Sequence, residues 1–479
     1  MKRLIVIGML VMLTITQAKA FDFYVVNNDG VRIYYEIQAG IGNKVMVVNR
    51  EGTSTYSGII NIPANVTYEG ISYVVETIGR EAFYGCKEIT EVNLPASIKT
   101  IRERAFFDCD KLTDIIIPDE VTSIRYRAFD NCNALKTVSL GANLTEIGER
   151  AFYQCTRLEN ITFGNKVSLI DIAAFDMCYY LKHVQLPESI IEIGDYAFSY
   201  SGLTGVVIPN NVQSIGIGAF STCRSLAQVV IGDKVSNIGR SAFADCAALN
   251  LFTVSENNQK YICEDSMLLS KDKTVLYVFP GGKKSTIIPN YIKKIGDGAF
   301  AGHNISRIEI PDNVVSIGEY AFSGCNDVIE FIVGKNVKDI GIKAFQSLGT
   351  YGNTLNFYNS SPTPQVVEDL GLEYISYLTI YVPIGSGNLY KNANYWRNLR
   401  IEEKNYTVSN EDIFNENIII SNIDRGISIS SDSPATVAVY SMSGQMVHQQ
   451  YMRDRQEIKL QRGLYIVKVE NVTKKVYVK

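Results

Sequence analysis

Histidine is scarce in this 479-residue chain, with three copies, and tryptophan occurs once. So few imidazoles leave little material for general acid–base catalysis or a histidine-built metal centre. His183, His303 and His448 are far apart in sequence, and none stands beside a candidate nucleophile. The H-E-x-x-H, G-x-S-x-G and phosphate-loop patterns are all missing. The glycine-bearing fragments S-I-G-I-G-A-F at 214–220 and G-I-G-N-K near residue 40 lack a phosphate-binding context. Charge is restrained too: 46 basic against 50 acidic residues give a formal net charge of −4, with no long run of one sign. That balance carries no nucleic-acid footprint. Beyond the N-terminal segment no stretch reaches the 18 or so uninterrupted apolar residues that a spanning helix needs. The reading is of a protein that is no enzyme and uses no cofactor and no metal.

The N-terminus carries the first positive signal. Lys2 and Arg3 precede an apolar run from Leu4 to Ile15, and Ala18-Lys19-Ala20 has the small-x-small form of a signal-peptidase site. Residues 1–20 therefore read as a secretory signal, and the chain is expected to leave the cytoplasm.

The second signal is a repeat. The dipeptide Ala-Phe returns with its phenylalanine at 83, 106, 129, 152, 175, 198, 220, 243, 300, 322 and 345. The spacing is 22 or 23 residues, except for one gap of 57. Each unit follows A-F-x-x-C-x-x-L-x-x-V-x-I-P-x-x-V-x-x-I-G, with glycine replacing the proline at Gly141, Gly164, Gly232 and Gly334. A period in this range is a leucine-rich-repeat signature. One unit cannot bury its apolar side alone, so the units must stack into a continuous core. The L-x-x-V-x-I part is expected as a short parallel strand, and A-F-x-x-C as a turn or single helical turn that sends Phe inward. The fold class is thus a leucine-rich-repeat solenoid with β-rich caps and a small all-β sandwich after it.

The units divide the chain as follows. Residues 21–75 form an N-terminal β cap and first coil, and 76–360 the repeats, with an inserted hairpin at about 255–284. In that insertion M-L-L-S and T-V-L-Y-V-F-P flank a polar K-D-K turn. Residues 361–405 form a C-terminal cap holding Trp396 in its core, and 411–479 the all-β module.

Nine cysteines in an exported chain would ordinarily suggest disulfides. Eight of them, however, share one repeat position: Cys86, Cys109, Cys132, Cys155, Cys178, Cys223, Cys246 and Cys325. Stacking makes them a ladder of parallel Cβ vectors, which cannot supply the near-perpendicular torsion of a disulfide. They read as free, buried, small hydrophobes, and a ladder along an axis cannot converge on a metal. Cys263, in the insertion, stands apart.

What remains for function is a surface. The variable positions of the strands are expected to line the concave face: Thr90, Glu91, Asn93, Thr113, Asp114, Ile116, Lys136, Thr137 and Ser139. The series continues through Glu159, Asn160, Thr162, Lys182, His183 and Gln185, and later gains Val207, Gln228, Val230, Leu251, Arg307, Glu309 and Ile332. Glu91 and Asp114 fall on adjacent strands, where a solvated face explains them better than acid–base chemistry does. Parallel β-helices with coils of similar length include polysaccharide lyases, but those need an acidic cluster and a basic residue gathered on one face. No such cluster is visible here.

The repeat unit resembles the BspA-type leucine-rich repeat of bacterial surface adhesins and some parasite surface proteins. The stretch Tyr381-Val382-Pro383, Gly385, Tyr390 and Trp396 is similar to that family's end segment, so the likeness runs over about residues 45–403. The C-terminal module resembles the sorting domain of type IX secretion in Bacteroidetes. It does so through Val439-Tyr440, Ser443-Gly444-Gln445, Gly463-Leu464-Tyr465 and the basic last strand ending at Lys479. These resemblances imply a bacterial protein exported across the outer membrane, held at the cell surface or secreted, which uses the outer-membrane secretion machinery. They also imply adhesion to a host matrix or bacterial surface protein through the concave face, with no nucleic acid as partner. A glycan-binding or glycan-degrading accessory protein is the alternative.

Overall fold

The computed structural model describes residues 21–404 apart from 41, 50–55, 284–286, 350–353, 374 and 376. Further on it describes 412–413, 418–423, 426–431, 435–442, 445–452, 455–469 and 472–478. The signal segment read at 1–20, Ser443-Gly444 of the sorting motif, and Lys479 lie outside the described residues. The chain divides into two compact units after Lys271, inside the K-D-K turn.

In the first unit the coils supply a turn and two short strands, except that residues 181–187 form no strand. The L-x-x-V-x-I positions form the strand face: Ser57–Asn61, Glu88–Asn93, Asp114–Ile116, Thr137–Ser139 and Asn160–Thr162 pair in parallel. The V-x-x-I-G positions make a second track, from Thr100–Ile101 and Ser123–Ile124 onward to Asn237–Ile238, which period-2 patterning over two residues is too short to reveal. Between the tracks the inward residues close the core. Phe83, Phe106, Phe129, Phe152, Phe175, Phe198, Phe220 and Phe243 are buried and stack ring on ring, 4.9–5.5 Å between centroids. Each contributes about 2 kcal/mol through burial.

The A-F-x-x-C stretch takes the turn form, and it does so with side-chain-bearing residues in left-handed backbone. Arg104, Arg127 and Arg150 have φ of 53°, 54° and 55°, and Asp108, Asn131 and Gln154 follow at 59°, 61° and 56°. Each such residue costs on the order of 1 kcal/mol. The alternation aims every second N–H at the next coil: Arg104 bonds Tyr126 at 2.9 Å, Phe106 bonds Ala128 at 2.7 Å, and Asp108 bonds Asp130 at 3.0 Å. The turn is thereby a third hydrogen-bonded ladder, and buried peptide groups are paired all round the coil.

The first unit is closed at its N-terminal end by Phe23–Val26, Arg32–Ile37 and Lys44–Val48. These form an antiparallel meander that joins Ile71–Ile78 in parallel. Phe23 stacks there on Tyr68 at 4.3 Å, and Tyr56 meets the first ladder ring, Phe83, at 5.0 Å. At the other end Tyr261–Glu264 pairs antiparallel with Met267–Ser270 across Asp265 and Ser266, both left-handed. The strand Y-I-C-E was not foreseen, because its polar neighbours hide it.

The second unit repeats the plan. Phe279, Phe300, Phe322 and Phe345 stack at 4.7–6.0 Å, and Arg307–Glu309, Glu330–Val333, Leu355–Asn359, Leu378–Val382 and Ile401–Glu403 form its strand face. Its cap holds Trp396 fully buried, with Nε1–H donating to Gln365 O at 2.9 Å and the ring edge-on to Tyr390. The C-terminal module has two four-stranded antiparallel sheets around Ile427, Ile429, Val437, Val439, Val467 and Val469, an all-β sandwich as the sequence suggests. Among the described residues no helix is long and apolar enough to cross a membrane.

Candidate functional site

Strand pairing decides which side chains become neighbours. Glu91, Asp114, Thr137 and Asn160 occupy one row across four coils, and Ile116, Ser139 and Thr162 the next. Most of the residues expected on this face are exposed; Thr113, Ser139, Val230, Arg307 and Glu309 are half-buried, and Ile332, expected on the face, is instead buried in the core at 3% accessibility.

A second expectation is corrected. His183 is expected on a strand, but residues 181–187 form none, and the strand face resumes only at Gly205–Val207. Two features of the sequence account for this. Phe163 stands where Ile117, Leu140 and Ile208 sit elsewhere, and its bulk leaves it, Ile161 and Val184 only half-buried. The following coil is also a residue shorter, with Gly202 bonding Cys178 O at 3.3 Å and Thr204 bonding Lys182 O at 3.1 Å. Lys182, His183 and Gln185 remain exposed there. The ring ladder keeps its 5.3 Å steps across this coil, so the interruption is local to the strand face.

The side chains differ in what they are already bonded to. Asn93 Nδ2 donates to Asn61 Oδ1 at 2.7 Å and to Glu91 Oε1 at 2.9 Å, and Asn61 donates to Asp29 at 2.6 Å. Glu91 and Asn93 thus belong to a polar strap over the cap. Thr113 Oγ1 donates back to Thr90 O at 3.4 Å. By contrast, among the described residues the side chains of Asp114, Lys136, Ser139, Glu159, Thr162, Lys182, His183 and Gln185 form no hydrogen bond or ion pair. On the second track three hydroxyls are bonded to the previous coil: Thr145 donates to Thr122 O, Ser168 to Thr145 O, and Ser236 to Gln213 O, at 3.0–3.3 Å. This split between bonded and open side chains has no signal in the sequence, since Thr and Ser occur on both tracks.

Chemistry of another kind is confined to the interior. The eight ladder cysteines form no disulfide and are buried, and Cys263 forms no disulfide and is half-buried. Burial raises the thiols of Cys86, Cys109, Cys155, Cys178 and Cys246, and lifts Cys223 up to about 11 and Cys325 up to about 12, so these are poor nucleophiles. His303 replaces a ladder cysteine. It is buried, its Nδ1 lies 3.0 Å from Phe300 O, and burial holds it below the usual imidazole range. Among the described residues no group of three His, Cys, Asp or Glu is placed to hold a metal. A cleft of about 370 Å³ in the second unit is lined by Leu372, Glu373, Tyr377, Asn398 and Arg400 among others.

Comparison with known proteins agrees with this architecture. The family described as BspA type leucine rich repeat region matches residues 63–182, 145–268 and 277–362, and the secretion system C-terminal sorting domain matches residues 416–479. Among solved structures, a leucine rich cell surface protein from Faecalibacterium prausnitzii A2-165 is 26% identical, with a TM-score of 0.57 over 81% of this chain and 97% of that one. A leucine-rich repeat protein from Bacteroides ovatus ATCC 8483 is 21% identical, with a TM-score of 0.39 over 80% of this chain and 100% of that one. No curated protein matches the chain.

Proposed function

The chain belongs to the BspA-type leucine-rich-repeat family, and we propose that its work is adhesion, through protein contacts made by the strand face of its first unit. The C-terminal sorting domain makes it an exported protein, at the cell surface or secreted. The observation that supports a binding face is the set of open polar side chains between Asp114 and Gln185. From Asp114 to Thr162 the paired strands hold these groups in fixed rows, so a partner gains their hydrogen bonds without ordering them first. Host matrix and bacterial surface proteins are the partner classes proposed, and the sorting domain is proposed to engage the outer-membrane secretion machinery.

The test is binding of the full chain to an array of host matrix proteins, bacterial surface proteins and glycans. Saturable protein binding that Ser139→Lys and Thr162→Lys abolish is the expected result. Binding to glycans alone, or cleavage of a spotted polysaccharide, overturns the reading and favours a glycan-directed accessory protein.

A further inference from the structure

Among the described residues of the first unit, Ile116 and Val207 are the most exposed large apolar side chains, 72% and 61% accessible. Both occupy the same position of their coils, four coils apart, with Ser139, Thr162 and Gln185 between them. At about 4.8 Å per coil the two lie about 19 Å apart, which is the length of roughly six residues of extended chain. Scattered exposed aliphatics need no explanation, but a matched pair bracketing a row of open hydrogen-bonding groups does.

We propose that this row is the seat of one extended polypeptide segment, laid across the coils and anchored by an apolar residue at each end. The inference rests on the strand-face reading and deepens it by naming the form of the ligand. Three observations choose a polypeptide in this form. In the coils of Ile116, Ser139 and Thr162 the strands are three residues long, so the outward face there is about 7 Å across, the width of a single extended chain, while the coil of Gln185 carries no strand. Lys136, Glu159 and Lys182 occupy one position in consecutive coils, which matches a ligand with two acidic residues about three positions apart and a basic residue between them. Aromatic rings are kept off this row: the exposed Tyr179, Tyr180, Tyr196 and Tyr200 all lie on turns. A sugar would find no ring to stack on along the seat. Polar groups between apolar ends suit a peptide main chain, whose N–H and C=O groups alternate along its length.

The experiment is selection of a random-peptide display library on the full chain, with counter-selection on a chain carrying Ile116→Lys and Val207→Lys. Enriched peptides are expected to carry apolar residues about six apart with acidic residues between them. A peptide synthesised to that consensus should bind about tenfold more weakly to each single anchor variant. It should also weaken when Lys136 and Lys182 are both changed to Glu. Thermal unfolding of each variant is measured alongside, with Ile116→Ser and Val207→Ser used where a lysine lowers the midpoint. No enrichment, enrichment without the spacing, or equal binding to the anchor variants overturns the seat. Binding lost in Ser139→Lys and Thr162→Lys yet unchanged in the anchor variants overturns the seat alone. Binding unchanged in all four overturns the strand-face reading as well.

Discussion

The thiol of Cys132 donates to the carbonyl oxygen of Phe106, one coil earlier, at 3.1 Å. The same contact joins Cys109 to Phe83, Cys155 to Phe129, Cys223 to Phe198 and Cys325 to Phe300, at 3.1–3.2 Å. Each phenylalanine carbonyl also accepts the N–H of the residue at the cysteine position of its own coil, from Cys109 at 3.3 Å for Phe106, from Ser201 for Phe198 and from His303 for Phe300. A small apolar side chain with one weak donor fits this position, and that is the physical reason cysteine recurs there without forming a bridge.

This arrangement predicts thiol reactivity. An aromatic disulfide reagent should label at most one thiol in the folded chain, Cys263, and the eight ladder thiols only on unfolding. Rapid labelling of several thiols in native buffer would contradict the buried ladder.

Asp130 predicts the pH dependence. Burial pushes its carboxyl up to about 7 against the pull of Arg127, whose Nε lies 3.3 Å away, while Asp108 adds to the rise. The folded chain therefore keeps a proton that the unfolded chain releases near pH 4, and this contribution to stability is lost as pH rises toward 7. Asp130→Asn should remove that loss, gaining on the order of 2 kcal/mol over the parent between pH 4 and pH 7. Denaturant unfolding at a series of pH values checks it, and parallel profiles for the two chains would refute it.

Asn258 predicts where the first unit is vulnerable. Its buried amide donates to Gly232 O and Val235 O at 2.8 and 3.0 Å and accepts from the N–H groups of Lys260 and Tyr261 at 2.9 and 2.8 Å. Asn258→Ala strips four partners at once and should cost about 3 kcal/mol locally. Limited proteolysis should then cut between 259 and 271 faster than in the parent, with the ring ladder intact by near-ultraviolet circular dichroism.

Gly141 predicts a backbone constraint. A Cβ placed there would overlap the carbonyl of Pro118 in the previous coil, a rigid backbone atom that cannot yield. Gly141→Ala should destabilise the chain by about 2 kcal/mol or more, measured as a lower denaturant midpoint. A neutral result would mean that the coils can separate at this corner.

The repeat, the burial of Phe and Cys, the caps and the sandwich were legible in sequence because periodic burial writes periodic letters. Phe106 and Cys109 recur wherever a coil has an inside. The V-x-x-I-G track was less legible, since Ser123–Ile124 is too short to show alternation. The left-handed backbone at Arg127 and Asn131 left no trace, because glycine, its usual marker, is absent there. It persists only because N–H groups of adjacent coils are bonded together.

The amino-acid sequence by itself therefore determined the architecture, since 22- and 23-residue periodicity permits only stacking, and hydrophobic burial is a property of each residue type. Tertiary structure alone decided which surface groups are open. Thr113 and Thr162 differ by nothing in their own letters, yet one hydroxyl bonds its neighbour's backbone and the other does not. Tertiary structure also decided that the strand face breaks at His183, where the bulk of Phe163 and a coil one residue short act together. Such outcomes depend on distances between coils, and a distance is written in no single residue.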